Sequence, residues 1–239
     1  AKLSLGEYSS LDNVIISDNS SLITAGGIHI AGGTDLVISN STIENNIAGQ
    51  STTYGGGGGL WIEETANLII ENTIIRNNST NAQEAGGIML QSNYRPKLKN
   101  VEITNNSGIT GGGLVIESSF KASIVNSTIA SNTSIIGSGL YIYGASHEPR
   151  IINTIIKENY SDFLQEDIES SVALSSAIEP LIYYSNIESG CIDLPGDLSE
   201  TTWVDIVGSG CEDWNAVECE LYGDDAGVSG VEINMKHHQ

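Results

Sequence analysis

Six residues in the first two thirds of the chain have types and spacings that suit sugar or acid–base chemistry. Trp61 and Tyr141 belong to one recurring position, with His29, Met89 and Val115; Glu63, Gln91, Glu117 and Tyr143 belong to another two residues further on. Ring faces stack on the apolar faces of sugars, and carboxylates and amides hydrogen-bond hydroxyls. Glu63 and Glu117 also invite comparison with a catalytic carboxylate pair. A second group is cationic: Arg95, Lys97, Lys99, Lys121 and Arg150 are five of the nine basic residues. Such a stripe suits an anionic ligand, and Glu102 and Glu148 are near enough in sequence to neutralise part of it. A third candidate is the run of five glycines at 55 to 59, just before Trp61. No lysine follows it at the spacing a phosphate loop needs, so it is read as a structural corner.

The elements that would position these groups come from a repeat. Gly26-Gly27, Gly58-Gly59, Gly86-Gly87, Gly112-Gly113 and Ser138-Gly139 each precede an apolar-x-apolar triplet. In step with them runs Asn-x-x-Ile-x-x-Asn, as Asn40/Ile43/Asn46, Asn72/Ile75/Asn78, Asn100/Ile103/Asn106, Asn126/Ile129/Asn132 and Asn153/Ile156/Asn159, with a first copy at Asn13 and a fading one at Asn186. A period of about 27 residues marks a solenoid. Each unit holds three short alternating runs: Leu60/Ile62, Leu68/Ile70 and Ile75 are the inward residues of one copy. No room remains for a helix. A unit this small cannot bury its own apolar face, but stacked copies can.

The expected fold is therefore all-β: a right-handed parallel β-helix of about six to seven turns over residues 1 to 186. The glycines would sit where a Cβ clashes or φ is positive. The asparagines would take the left-handed conformation at corners and also bond from turn to turn. Inter-strand spacing puts Glu63 and Glu117 about 9.6 Å apart, two turns along the axis. That is too wide for a retaining glycosidase and at the limit for an inverting one.

The GG-aliphatic corner and Ile-x-x-Asn resemble the pectin-lyase-like right-handed β-helix superfamily. They look most like the repeats of chlamydial polymorphic outer-membrane proteins, with Ile43, Ile75, Ile103, Ile129 and Ile156 where those repeats carry Phe. The stretch "PLIYYSNIE" from Pro180 is similar to a segment of secreted bacterial β-helix proteins. The resemblance implies the fold; its members include lyases, hydrolases, adhesins and phage spikes. Lyases of this kind use Lys and Arg with Ca²⁺ against uronic acids, but the Gly-His-Gly and Arg-Ile-Lys signatures of polygalacturonases are missing here.

Composition narrows the partners. The net charge of −21 argues against nucleic acid, and no apolar run is long enough for a transmembrane helix. Residues 187 to 239 carry 12 acidic side chains and one basic one, with Cys191, Cys211 and Cys219, Trp203 and Trp214. This segment is expected to cap the solenoid or begin a following one. Three cysteines allow one disulfide and a free thiol, or a partner elsewhere. A short helix or loop is expected between Ser161 and Glu169. No cofactor motif is present. Ca²⁺ is the one ion that the acidic runs Asp162/Glu166/Asp167/Glu169, Asp193/Asp197 and Asp224/Asp225 would suit. The Ala1 start is that of a processed or shortened chain, so a missing signal peptide does not argue against secretion. Short turns leave little to wall a catalytic cleft. The expected function is a secreted or cell-surface binding or adhesion module for carbohydrate or a surface partner. A polysaccharide lyase or glycoside hydrolase acting on an acidic polysaccharide is the alternative, and a structural spacer the second. The oligomeric state stays open.

Overall fold

The computed structural model describes residues 2–3, 8–49, 56–81, 85–161, 172–174, 180–183 and 185–187. The expected cap, its cysteines, the segment from Asp162 to Glu169 and all three acidic runs lie outside the described residues. Every regular element within them is a strand. Three seven-stranded sheets run the length of the solenoid, and every pairing in them is parallel. The first sheet contains Ile28–Ala31, Leu60–Glu63, Ile88–Gln91, Leu114–Glu117 and Leu140–Tyr143, flanked by Lys2–Leu3 and Val172–Leu174. The second is built from Val37–Ser39 through Arg150–Ile152, and the third from Thr42–Glu44 through Ile155–Lys157, each with one further strand at either end. Five turns have a four-residue first strand, fewer than the six to seven expected. The copies at the two ends are shorter, and neither carries the Gly-Gly or Ser-Gly pair that opens a full one.

The core follows the alternation. Leu60, Ile62, Leu68, Ile70 and Ile75 of one turn are fully buried and stack on Ile88, Leu90, Leu98 and Ile103 of the next. Steric crowding, rather than positive φ, explains the glycine pair. A Cβ on Gly58 would lie 2.5 Å from the Ser79 carbonyl oxygen and closer still to that of Gly86. No side chain fits between two backbones at that corner.

The two motif asparagines divide the work expected of both. The first Asn of each copy is exposed and left-handed, with φ between 48° and 55° from Asn13 to Asn153. The second, exposed in the first copy at Asn19, is buried from Asn46 to Asn159 and forms a continuous ladder. Asn46 Nδ2 donates to Asn78 Oδ1 at 2.9 Å, Asn78 to Asn106 at 3.1 Å, Asn106 to Asn132 at 3.0 Å and Asn132 to Asn159 at 2.9 Å. Each also donates to a strand carbonyl one turn back, as Asn106 does to Ile75. A Ser/Thr column serves the corner between the second and third sheets. There the Val101 N–H donates to Ser127 Oγ at 3.1 Å and the Thr154 N–H to Ser185 Oγ at 3.1 Å. A third column, Thr65–Asn93–Ser119–Ser146, serves the corner after the first sheet. These ladders satisfy corner amides that short strands leave unpaired.

Candidate functional site

On the first sheet, strand alternation turns His29, Trp61, Met89, Val115 and Tyr141 outward in one register, with Glu63, Gln91, Glu117 and Tyr143 in the next. Trp61 and Tyr141 are expected to be at least partly exposed here, and both are half-buried, while the residues between them are covered. Met89 and Val115 are fully buried, and His29 is 4% exposed. Trp61 is half-buried, stacked on the His29 ring at 4.4 Å, and Gly56 lies so close that a Cβ there would overlap the indole carbons. Tyr141 and Tyr143 are half-buried and stack at 4.8 Å. Burial raises the Tyr141 phenol above the usual tyrosine range.

The polar row is linked from turn to turn. His29 Nε2 and Glu63 Oε1 are 2.8 Å apart; Trp61 Nε1 donates to Gln91 Oε1 at 3.2 Å; Gln91 Nε2 donates to Glu117 Oε2 at 2.7 Å. Gln91 therefore stands between the two carboxylates. Glu63 is held by His29 from the adjoining row and Glu117 by Gln91 from its own, which is the geometry of a ladder rather than of an acid and base facing one bond. His29 Nδ1 is buried with no hydrogen-bond partner among the described residues.

The cationic residues separate into columns. Arg95 and Lys121 share the corner between the first and second sheets, where the Arg95 N–H donates to the Phe120 carbonyl and the Lys121 N–H to that of His147. Lys97 and Arg150 lie one position into the second sheet, both in register with Ser123. Lys99 belongs to neither column and sits 4.0 Å from Glu71. Lys121 is 3.3 Å from Glu148, so neutralisation by neighbouring carboxylates holds for these two lysines.

Sequence reading missed the aromatic column at that corner. Tyr94, Phe120 and His147 are bridged backbone to backbone in successive turns. The Tyr94 and Phe120 rings stack at 5.4 Å with 7° between planes, and His147 meets Phe120 edge-on at 6.3 Å. The Arg95 guanidinium lies 5.0 Å over the Tyr94 ring and Lys121 Nζ 5.1 Å over Phe120. The signal was an aromatic directly before a cation, at Tyr94-Arg95 and Phe120-Lys121, one period apart.

Among the described residues no three His, Cys, Asp or Glu side chains cluster as a metal site. The described residues contain no helix long and apolar enough to cross a membrane, which says nothing of a β-barrel.

No curated protein matches the chain. Among solved structures, QnrB1, a plasmid-mediated fluoroquinolone resistance protein, aligns at 12% identity over 72% of this chain and 92% of that one. Its TM-score of 0.16 carries no argument. The family model of the right-handed β-helix region matches residues 3 to 176. That span takes in all five full turns with their parallel sheets and buried ladders, and the chain belongs to the right-handed β-helix family.

Proposed function

We propose that this β-helix is a binding module that works outside the cell, secreted or held at a surface, and that it holds a carbohydrate chain along its outer rows. One observation carries the reading. Rings and hydrogen-bonding or charged groups recur once per turn and in register on the outside of the solenoid, as Glu63–Gln91–Glu117–Tyr143 and as Tyr94–Phe120–His147. A linear polymer laid parallel to the axis meets the same chemistry at each turn of about 4.8 Å. Stacking and hydroxyl recognition both need that repetition.

A glycan array tests it, run with and without Ca²⁺ and read for both bound protein and shortened chains. Retention on a subset of polysaccharides, with chain length unchanged, is expected. Shortened chains would establish the lyase or hydrolase reading instead. No retention on any glycan would leave the spacer reading.

A further inference from the structure

We propose that the corner formed by Tyr94, Arg95, Phe120, Lys121 and His147, with Lys97 and Arg150 beside it, is a docking strip for an acidic polysaccharide. The inference rests on the binding-module reading and places the ligand at this corner, away from the more occluded first sheet. Three kinds of observation meet there.

The first is charge pairing. Arg76, Lys99, Lys121 and Lys157 each have a carboxylate within 4.0 Å. Among the residues whose side chains are described, the Lys and Arg with no ion pair are Arg95, Lys97 and Arg150, and all three lie on the strip. On a chain with 30 acidic residues, three neighbouring cations with no carboxylate partner among the described residues concentrate positive field on one line. Attraction at contact range outlasts the repulsion from the distant net charge, which salt screens beyond about 10 Å.

The second is backbone conformation. The corner is left-handed in every turn. Asp35 and Asn67 occupy it with φ of 53° and 54°, and these residue types take that conformation at least cost. The next two turns put Arg95 and Lys121 there instead, at φ 57° and 55°. Folding alone favours a short amide at both positions. Tyr8 and Glu148 hold the same position at φ 58° and 50°; what sets Arg95 and Lys121 apart is that the residue giving up that advantage is a cation laid over a ring.

The third is the ring column. Tyr94 is 45% exposed, and His147 is exposed as well. The Tyr94 and Phe120 rings, one turn apart and each capped by a cation, suit a ligand with a negative charge and an apolar ring face in every repeat. A sugar acid has both; an acidic peptide has only the charge. The cations need donate no proton and break no bond, so the strip binds without cleaving.

Titration calorimetry on the full chain tests this with polygalacturonate and dextran sulfate as carboxylate and sulfate probes. Dextran serves as the neutral control, and polyglutamate as charge without rings. Both acidic polysaccharides should bind more tightly at about 0.15 M than at about 1 M salt. Arg95→Asn should weaken them about tenfold, the size of one lost charge-assisted contact. Its melting temperature should hold or rise, because Asn suits the left-handed corner as Asn67 does. Tyr94→Ala should also weaken binding, and Trp61→Ala should not. Polyglutamate binding as tightly as the polysaccharides would overturn the sugar assignment. Dextran binding that Trp61→Ala removes and Arg95→Asn leaves alone would overturn the strip and keep the binding-module reading. No binding of any glycan would overturn both. A fall in melting temperature on Arg95→Asn would show that Arg95 is there for the fold.

Discussion

Asn106→Ala should cost far more stability than Asn100→Ala, although both residues belong to one copy of one motif. All four hydrogen-bonding positions of the Asn106 amide are used. Nδ2 donates to the Ile75 carbonyl and to Asn132 Oδ1, both at 3.0 Å; Oδ1 accepts from the Asn78 backbone N–H at 3.0 Å and from Asn78 Nδ2 at 3.1 Å. Truncation leaves the Asn78 N–H without its acceptor and takes a donor from Ile75. Asn78 Nδ2 and Asn132 Oδ1 keep their other partners, the Ile43 carbonyl and the Asn106 N–H, both at 2.9 Å. One orphaned buried donor and three weakened groups come to about 3–4 kcal/mol. Asn100 is exposed and donates to Asn72 Oδ1, a bond water can replace. Its φ of 53° means that alanine there costs about 1 kcal/mol of backbone strain. For a chain of this size each kcal/mol moves the midpoint by about 2–4 °C. Thermal melts followed by far-ultraviolet circular dichroism should thus drop by about 10 °C for Asn106→Ala and about 3 °C for Asn100→Ala. Equal drops would refute the division between a buried ladder and an exposed corner column.

Gly58→Ala should prevent soluble folding or cost at least about 3 kcal/mol, because the added Cβ meets two backbone carbonyls. Gly32→Ala should cost only about 1 kcal/mol, since nothing lies within 4 Å and only its φ of 73° is unfavourable; urea unfolding compares the two. The Asp12 carboxyl is held below the usual carboxylate range by hydrogen bonds from Ser39 Oγ at 2.7 Å and Asn40 Nδ2 at 2.8 Å. A depressed folded value means that this contribution is present above the unfolded carboxylate range and is lost as pH falls through the folded value. Carboxyl carbon NMR titration should show Ser39→Ala raising it more than Asn40→Ala does.

The fold was legible because stacking repeats one local geometry, so every copy reports the same corner. The spacing of Gly58-Gly59, Gly86-Gly87 and Gly112-Gly113 fixed the first strands, and Asn-x-x-Ile-x-x-Asn fixed the third. What each asparagine does was not legible, since sequence spacing cannot say which of two amides in a turn points inward. Asn100 was expected to bond from turn to turn among buried amides; it does donate to Asn72, but it is exposed, and Asn106 is the buried one. How far the first sheet is covered was not legible for a related reason. Alternation places Met89 and Val115 outward, but residues such as Gly56 and Gly111, from the corner segments before the strands, pack over that face. The phase of the cationic stripe was partly legible: Arg95 and Lys121 share one column, while Lys97 and Arg150 share another. The aromatic column beneath them was readable only by aligning the corner after the first sheet, where Tyr94, Phe120 and His147 fall in step.

Binding without cleavage is tested most directly by incubating the protein with polygalacturonate and alginate, with and without Ca²⁺. Co-sedimentation and the absorbance of unsaturated uronates are then followed in the same samples. Protein that sediments with at least one polymer, with absorbance flat over hours, is the expected result. A steady rise in absorbance that disappears in Lys97→Ala would show a lyase on the cationic strip and contradict the binding-module reading.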